Sequence, residues 1–236
     1  MDHPETSLVL AVYATGSGAG STHFAMGLAC YLNRRGISCL YEDGSENRPV
    51  WEFAACDSSV KQIGSIYYKG ACPMRPAYDG GVEAKKGQFQ VYVKDYGFCR
   101  EAKGFAEGKP DCCLIVSGSR PWELSEAAAC RELLPKRARR IWLYNHWDQG
   151  TRKRAKKLHG EEEYGFLPYF PDPFAQDGRI IAWFDRLSVR LGIEPARKRR
   201  LPWEFFTRKQ RRSEEGNRKP LELSELCREA DPPILH

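Results

Sequence analysis

A short apolar run that breaks into glycine and then changes its periodicity constrains this chain more than any other feature. Residues 8–15 read LVLAVYAT, an unbroken β-rich stretch that suits a strand buried on both faces. Gly16, Ser17, Gly18, Ala19, Gly20, Ser21 and Thr22 follow directly. Beyond Thr22 the period becomes helical, with Phe24, Leu28, Tyr31 and Leu32 on one face and Gly36 as the stop. Residues 37–41 (ISCLY) read as a second strand that ends in Glu42 and Asp43. Together these pieces make a βαβ unit of the expected length. In such a unit the glycine-rich turn lets backbone N–H groups converge on an anion. The helix start adds a partial positive charge of roughly half a unit.

Farther along, three more apolar strands alternate with helices. Residues 112–116 (CCLIV) precede a helix over 125–134, and residues 141–144 (IWLY) run into Asn145 and a basic helix over 151–158. A short strand is expected over 166–169 and a closing amphipathic helix over 180–191. Uniformly apolar strands that alternate with helices predict an α/β protein: a three-layer sandwich with a mostly parallel sheet and helices on both faces. Its ligands bind beyond the carboxyl ends of the strands. Residues 47–110, with scattered glycine and proline and one clear strand at 89–93 (FQVYV), read as a variable insertion. The expected organisation is therefore one domain over 1–192 and a tail over 193–236.

Charge separates the same two parts. The net charge is +6, and between Pro195 and Pro220 ten basic residues face three acidic ones, so the basicity belongs to the tail. Its segment from Arg197 to Arg212 (RKRRLPWEFFTRKQRR) interleaves cations with Trp203, Phe205 and Phe206. That composition suits an acidic partner: nucleic acid, an anionic membrane surface or an acidic protein patch, with a solvated tail as the plain alternative. A last short helix is expected over 221–230. The apolar content of 42% is that of a folded protein, and no stretch is long and apolar enough to cross a membrane. The N-terminus lacks the basic and apolar regions of a signal peptide, so the expectation is a cytoplasmic protein, peripheral to the membrane at most. Nine cysteines without a single C-x-x-C spacing read as reduced, mostly buried thiols. Cys56, Cys72 and Cys99 are too irregularly spaced to suggest a metal centre.

The segment from Gly16 to Asp43 resembles the deviant Walker A region of the MinD/ParA group of P-loop ATPases, whose loop reads GKGGVGKT. Thr22, Ala25, Leu28, Ala29, Leu32, Gly36, Leu40 and Asp43 fall on that pattern without gaps. The resemblance implies that residues 16–22 hold the phosphates of ATP or ADP. It also implies that Thr22 and Asp43 stand at a magnesium ion and that Asn145 reads the base, with residues 169–174 (YFPDPF) nearby. It spans roughly residues 5–192, with its sharpest motifs in the first forty or so.

Departures from the pattern carry equal weight. Gly16 replaces the signature lysine, Ser21 replaces the phosphate-binding lysine, and Val116 and Ser117 stand where the strand 112–116 is expected to end in a magnesium-coordinating aspartate. Phosphoryl transfer relies on such charges, so the resemblance implies a degenerate member, a pseudo-ATPase that works as a regulatory or localisation scaffold. Pilus-assembly proteins of the CpaE/TadZ type are similar in this respect. Protein partners and a homodimer follow from the same resemblance. Three alternatives stay open: a hydrolase that borrows cations from the Arg152 to Lys157 segment, a nucleic-acid module built on the tail, and a dinucleotide site in which Glu42 or Asp43 binds ribose. His23 is expected to pack or face solvent.

Overall fold

The structure is a computed structural model that describes residues 7–45, 49–76, 87–100, 110–134, 138–160 and 162–193. The chain divides into two units, Met1–Ala196 and Arg197–His236, and the whole second unit lies outside the described residues. The basic segment, the helix expected over 221–230 and Cys227 fall there.

The first strand, β1 (Leu8–Ala14), leads through the glycine-rich turn into α1 (Ser21–Arg34) and back to β2 (Cys39–Asp43). Next come α2 (Pro49–Cys56) and four strands: β3 (Val60–Ile63), β4 (Ile66–Lys69), β5 (Cys72–Pro76) and β6 (Val91–Phe98). The remainder is β7 (Cys112–Ser117), α3 (Pro121–Leu133), β8 (Arg139–Tyr144), α4 (Gln149–His159), β9 (Glu163–Phe166) and α5 (Gly178–Arg190). All nine described strands join one sheet in the order β3-β4-β5-β2-β6-β1-β7-β8-β9. Only the β3–β4 and β4–β5 pairings are antiparallel.

Alternation along β1 shows how the layers form. Leu10, Val12 and Ala14 face a core shared with α1 and α5, whereas Ala11 and Tyr13 face a second core with α3 and α4. Helices therefore cover both faces, as uniformly apolar strands require. In the first core Phe184 of α5 stacks on Tyr31 of α1, with ring centres 5.2 Å apart, and the Tyr31 hydroxyl donates to Asp185 at 2.5 Å. Gly27 lets Phe170 press against α1, since a Cβ there would lie 2.9 Å from the ring. Helix starts are fixed locally: Asp148 accepts from the Thr151 amide at 2.6 Å, and Asp177 from the Ile180 amide at 2.9 Å.

Several expectations need correction. Residues 47–110 are not a mere insertion, because they contain α2 and four strands, and β6 occupies the heart of the sheet between β1 and β2. The first two strands are consequently not neighbours. The strand expected at 89–93 runs as β6 to Phe98, and its Lys94 pairs with Glu42 of β2 at 3.5 Å, while Glu42 also binds Arg75 of β5. The short strand expected over 166–169 runs over Glu163–Phe166 instead. Nor are all the cysteines thiols: Cys99 and Cys130 are joined as a disulfide, while Cys30, Cys39, Cys56, Cys72, Cys112 and Cys113 are free.

Candidate functional site

The order of the central strands decides where the site lies. From β1 the chain crosses to β2 on one side and later reaches β7 on the other, and ligands in open α/β sheets collect at such a divide. The turn after β1 starts from a fixed base. Thr15 donates its amide to the Val116 carbonyl at 3.0 Å and its hydroxyl to Ser117 at 3.0 Å. Gly18 and Gly20 then take positive φ values of 74° and 92°. Gly20 is the residue before α1, and no side chain caps the first amides of that helix. No acidic residue occupies its first turn. Uncapped amides beside a glycine-rich turn form an anion cradle.

Two cavities flank the turn. The larger, about 690 Å³, is walled by residues 16–23 with Ser45, Pro49, Phe53, Gly97 and Phe98. The smaller, about 280 Å³, is formed by Gly18, Gly20, His23, Phe24, Asn145, Leu167 and the segment 168–171. No lysine or arginine is among the described residues that line either one.

Beneath the larger cavity lies a carboxylate that the sequence did not disclose. Asp95, fully buried near the end of β6, accepts from the Thr22 hydroxyl at 2.6 Å, the Tyr41 hydroxyl at 3.1 Å and the Gly97 amide at 3.0 Å. Burial, reinforced by the neighbouring Asp43 charge, pushes its carboxyl above the usual range, against the pull of those hydrogen bonds. Val116 and Ser117, expected to stand in place of a magnesium-coordinating acid, lie apart from this carboxylate. Both belong to β7, on the far side of β1, and Ser117 holds Thr15. Nothing in the sequence singles Asp95 out, because the 89–93 run meets Lys94 before the carboxylate is reached.

Other predicted residues are placed as follows. Asp43 is buried, and its oxygens accept from the Ser45 amide and hydroxyl at 3.1 and 2.8 Å and from the Val50 amide at 3.3 Å, which ties β2 to α2. Asn145 lines the smaller cavity, but its amide is engaged with the Ala19 carbonyl at 3.2 Å and the His146 amide at 3.0 Å. It braces the turn. His23 bonds the Phe170 carbonyl at 2.7 Å and packs on its ring. Arg152 of α4 lies over Trp147, 4.9 Å from the ring centre, and over Phe166. Cys72 and Cys99 belong to different cores of the sheet, and the described residues contain no group of three or more potential metal ligands.

No protein-family model and no curated protein matches the chain. Solved structures do. A chain of the MinC:MinD cell division protein complex of Aquifex aeolicus aligns with TM-score 0.62 and 17% identity, over 82% of this chain and 99% of that one. An ATP complex of McdA from Cyanothece gives 0.61 and 11%, over 83% and 100%. A plasmid partition protein of Borrelia burgdorferi bound to AMPPNP gives 0.56 and 12%, over 80% and 99%. The chain has the MinD/ParA fold. Within that fold, Thr22 and Asp95 supply two hard oxygen donors 2.6 Å apart at the foot of an anion cradle, a donor set that suits Mg²⁺. The described residues include no helix long and apolar enough to cross a membrane.

Proposed function

We propose that this protein binds ATP or ADP through its glycine-rich turn, turns it over poorly or not at all, and serves as a regulatory or localisation scaffold. The Thr22–Asp95 pair beneath a cradle whose described lining holds no cation carries the proposal. Amides of residues 16–22 hold the phosphates, as glycine-rich turns do at helix starts. Thr22 and Asp95 hold Mg²⁺, and Asp43 supports them from β2. When bound, the ion neutralises charge on the phosphate oxygens. Phe170, Tyr169 and Asn145 flank the smaller cavity as the base-side wall. Both lysine positions of the related loop hold Gly16 and Ser21, so the cationic part of transition-state stabilisation is absent and turnover falls by many powers of ten.

The scaffold role is read from the structural likeness: MinD occurs in complex with MinC, and the other two neighbours hold ATP or its analogue AMPPNP. A body over 1–192, a basic tail over 193–236 that binds an anionic surface or nucleic acid, self-association, and a cytoplasmic place peripheral to the membrane complete the proposal. Calorimetric titration with ATP, ADP and NAD, with and without Mg²⁺, tests it. Magnesium-dependent ATP binding that disappears in Thr22→Ala, without hydrolysis above the blank, is the expected result. Hydrolysis that Thr22→Ala abolishes overturns the pseudo-enzyme reading. Tight NAD binding without ATP binding overturns the choice of nucleotide.

A further inference from the structure

Directly behind the turn, two cysteines from distant parts of the chain meet. Cys99 follows β6 by one residue, and its amide donates to the Ala14 carbonyl at 2.9 Å, so it is fastened to the last residue of β1. Cys130 lies in the last turn of α3, and its sulfur faces the Thr15 carbonyl at 3.6 Å. The pair thus brackets the point where β1 becomes the turn. Both side chains are buried, with Cα atoms 6.5 Å apart and a sequence separation of 31. On the strand side, the two residues before Cys99, Gly97 and Phe98, form the wall of the larger cavity, and Asp95 lies just upstream.

Six other described cysteines stay unpaired, five of them buried. A secreted disulfide framework uses its cysteines in pairs, so one bridge among free thiols marks a particular linkage.

We propose that Cys99 and Cys130 form a reversible thiol–disulfide switch that sets how firmly the glycine-rich turn is held and, through it, how tightly the cavity takes a nucleotide. The nucleotide half of this statement rests on the function proposed above; the effect on the turn does not. In the bridged form α3 is covalently tied to the end of β6, which fixes the Gly97–Phe98 wall against β1. In the dithiol form that tie is replaced by a weak S–H contact from Cys130 to the Thr15 carbonyl. Closing the bridge removes two electrons and two protons from the thiols. The electrons pass to a low-molecular-weight disulfide, which leaves as two thiols, and a dithiol reductant reverses the exchange.

The test uses the full chain, poised with oxidised or reduced glutathione, and verifies the state by counting alkylated thiols by mass. Hydrogen exchange is then read across residues 14–22 and 95–99, and ATP affinity is measured in each state. Exchange across the turn should be slower in the bridged form, and ATP should bind about fivefold tighter or more, the lower end of ordinary coupling between sites. By reciprocity, ATP should make the bridge harder to reduce by the same factor. Cys99→Ser and Cys130→Ser should match the reduced protein under either poise. Should either variant fail to fold, the comparison of oxidised with reduced wild-type protein still decides. Equal exchange across the turn in both states overturns the switch. Altered exchange with no ATP binding in either state leaves the switch standing and overturns the nucleotide reading.

Discussion

Asp95 places a charge where the fold alone does not favour one. Its carboxyl is buried and pushed upward, so the unfolded chain ionises it more readily than the folded one. Its contribution to stability is therefore present below the ordinary carboxylate value of 3.8 and is lost as pH rises through the folded value. Asp95→Asn should accordingly raise the stability of the metal-free protein at neutral pH by about 1 kcal/mol, read from urea unfolding, while abolishing magnesium-dependent ATP binding. Loss of both stability and binding would mean that the residue only fills space. At Gly20 a Cβ would meet the Asn145 amide nitrogen at 2.8 Å on a backbone with φ of 92°. Gly20→Ala should cost about 1–3 kcal/mol of stability and weaken nucleotide binding in the same titration. The turn itself was legible because glycine, serine and threonine there are dictated by backbone geometry. Asp95 was not, because a carboxylate at a strand end has no local signature until the strand is known to lie beside β1.

Among the elements, β1, α1, β2, β7 and β8 could be read from sequence since burial on both faces leaves their strands almost purely apolar. Strands β3, β4 and β5, joined to one another by antiparallel pairings, mix Lys61, Gln62, Lys69, Pro73 and Arg75 with apolar residues, as strands toward an edge do, and they were lost to that reading. Helix α5 holds the first core through Phe184, so Phe184→Ala should cost about 3–5 kcal/mol in the same unfolding measurement. At the end of α4, buried His159 bonds the Tyr144 hydroxyl and lies 3.4 Å from Glu162. Burial, only partly offset by Glu162, holds the imidazole below its ordinary value of 6.5. The unfolded chain thus takes up the proton first, and this contribution to stability is present above pH 6.5 and lost as pH falls below it. The melting temperature should decline across that window in the wild type and flatten in His159→Gln. Glu163 and Asp185, both held below their ordinary values of 4.5 and 3.8, lose their contributions only at lower pH.

On the scale of the molecule, the alternation of strand and helix was enough to give a parallel sandwich, but the order of strands was not, because β1 and β2 fit a simple βαβ reading as well as the interleaved one. What separates the two is β6, roughly fifty residues beyond β2 in the chain. Division of the chain at Ala196 leads to a further expectation. A chain ending there should melt within about 2 °C of the full-length protein, yet should lose any strongly salt-dependent association. A large drop in melting temperature would show that the tail belongs to the body.

Interleaving also governs how the protein can be made. As the chain leaves the ribosome, β1 and its glycine-rich turn emerge early with no neighbour to pair with, since both flanking strands lie far downstream. The two nearest strand partners, β6 and β7, arrive only after residue 91 and residue 112. The most apolar strand of the protein must wait, unpaired, while roughly half the polypeptide is synthesised, a few seconds or more at ordinary elongation rates of about 5–20 residues per second. A newborn fragment of this kind is a natural client for holding chaperones. Binding competence therefore arrives late, when the third central strand slots between two that were laid down long before it.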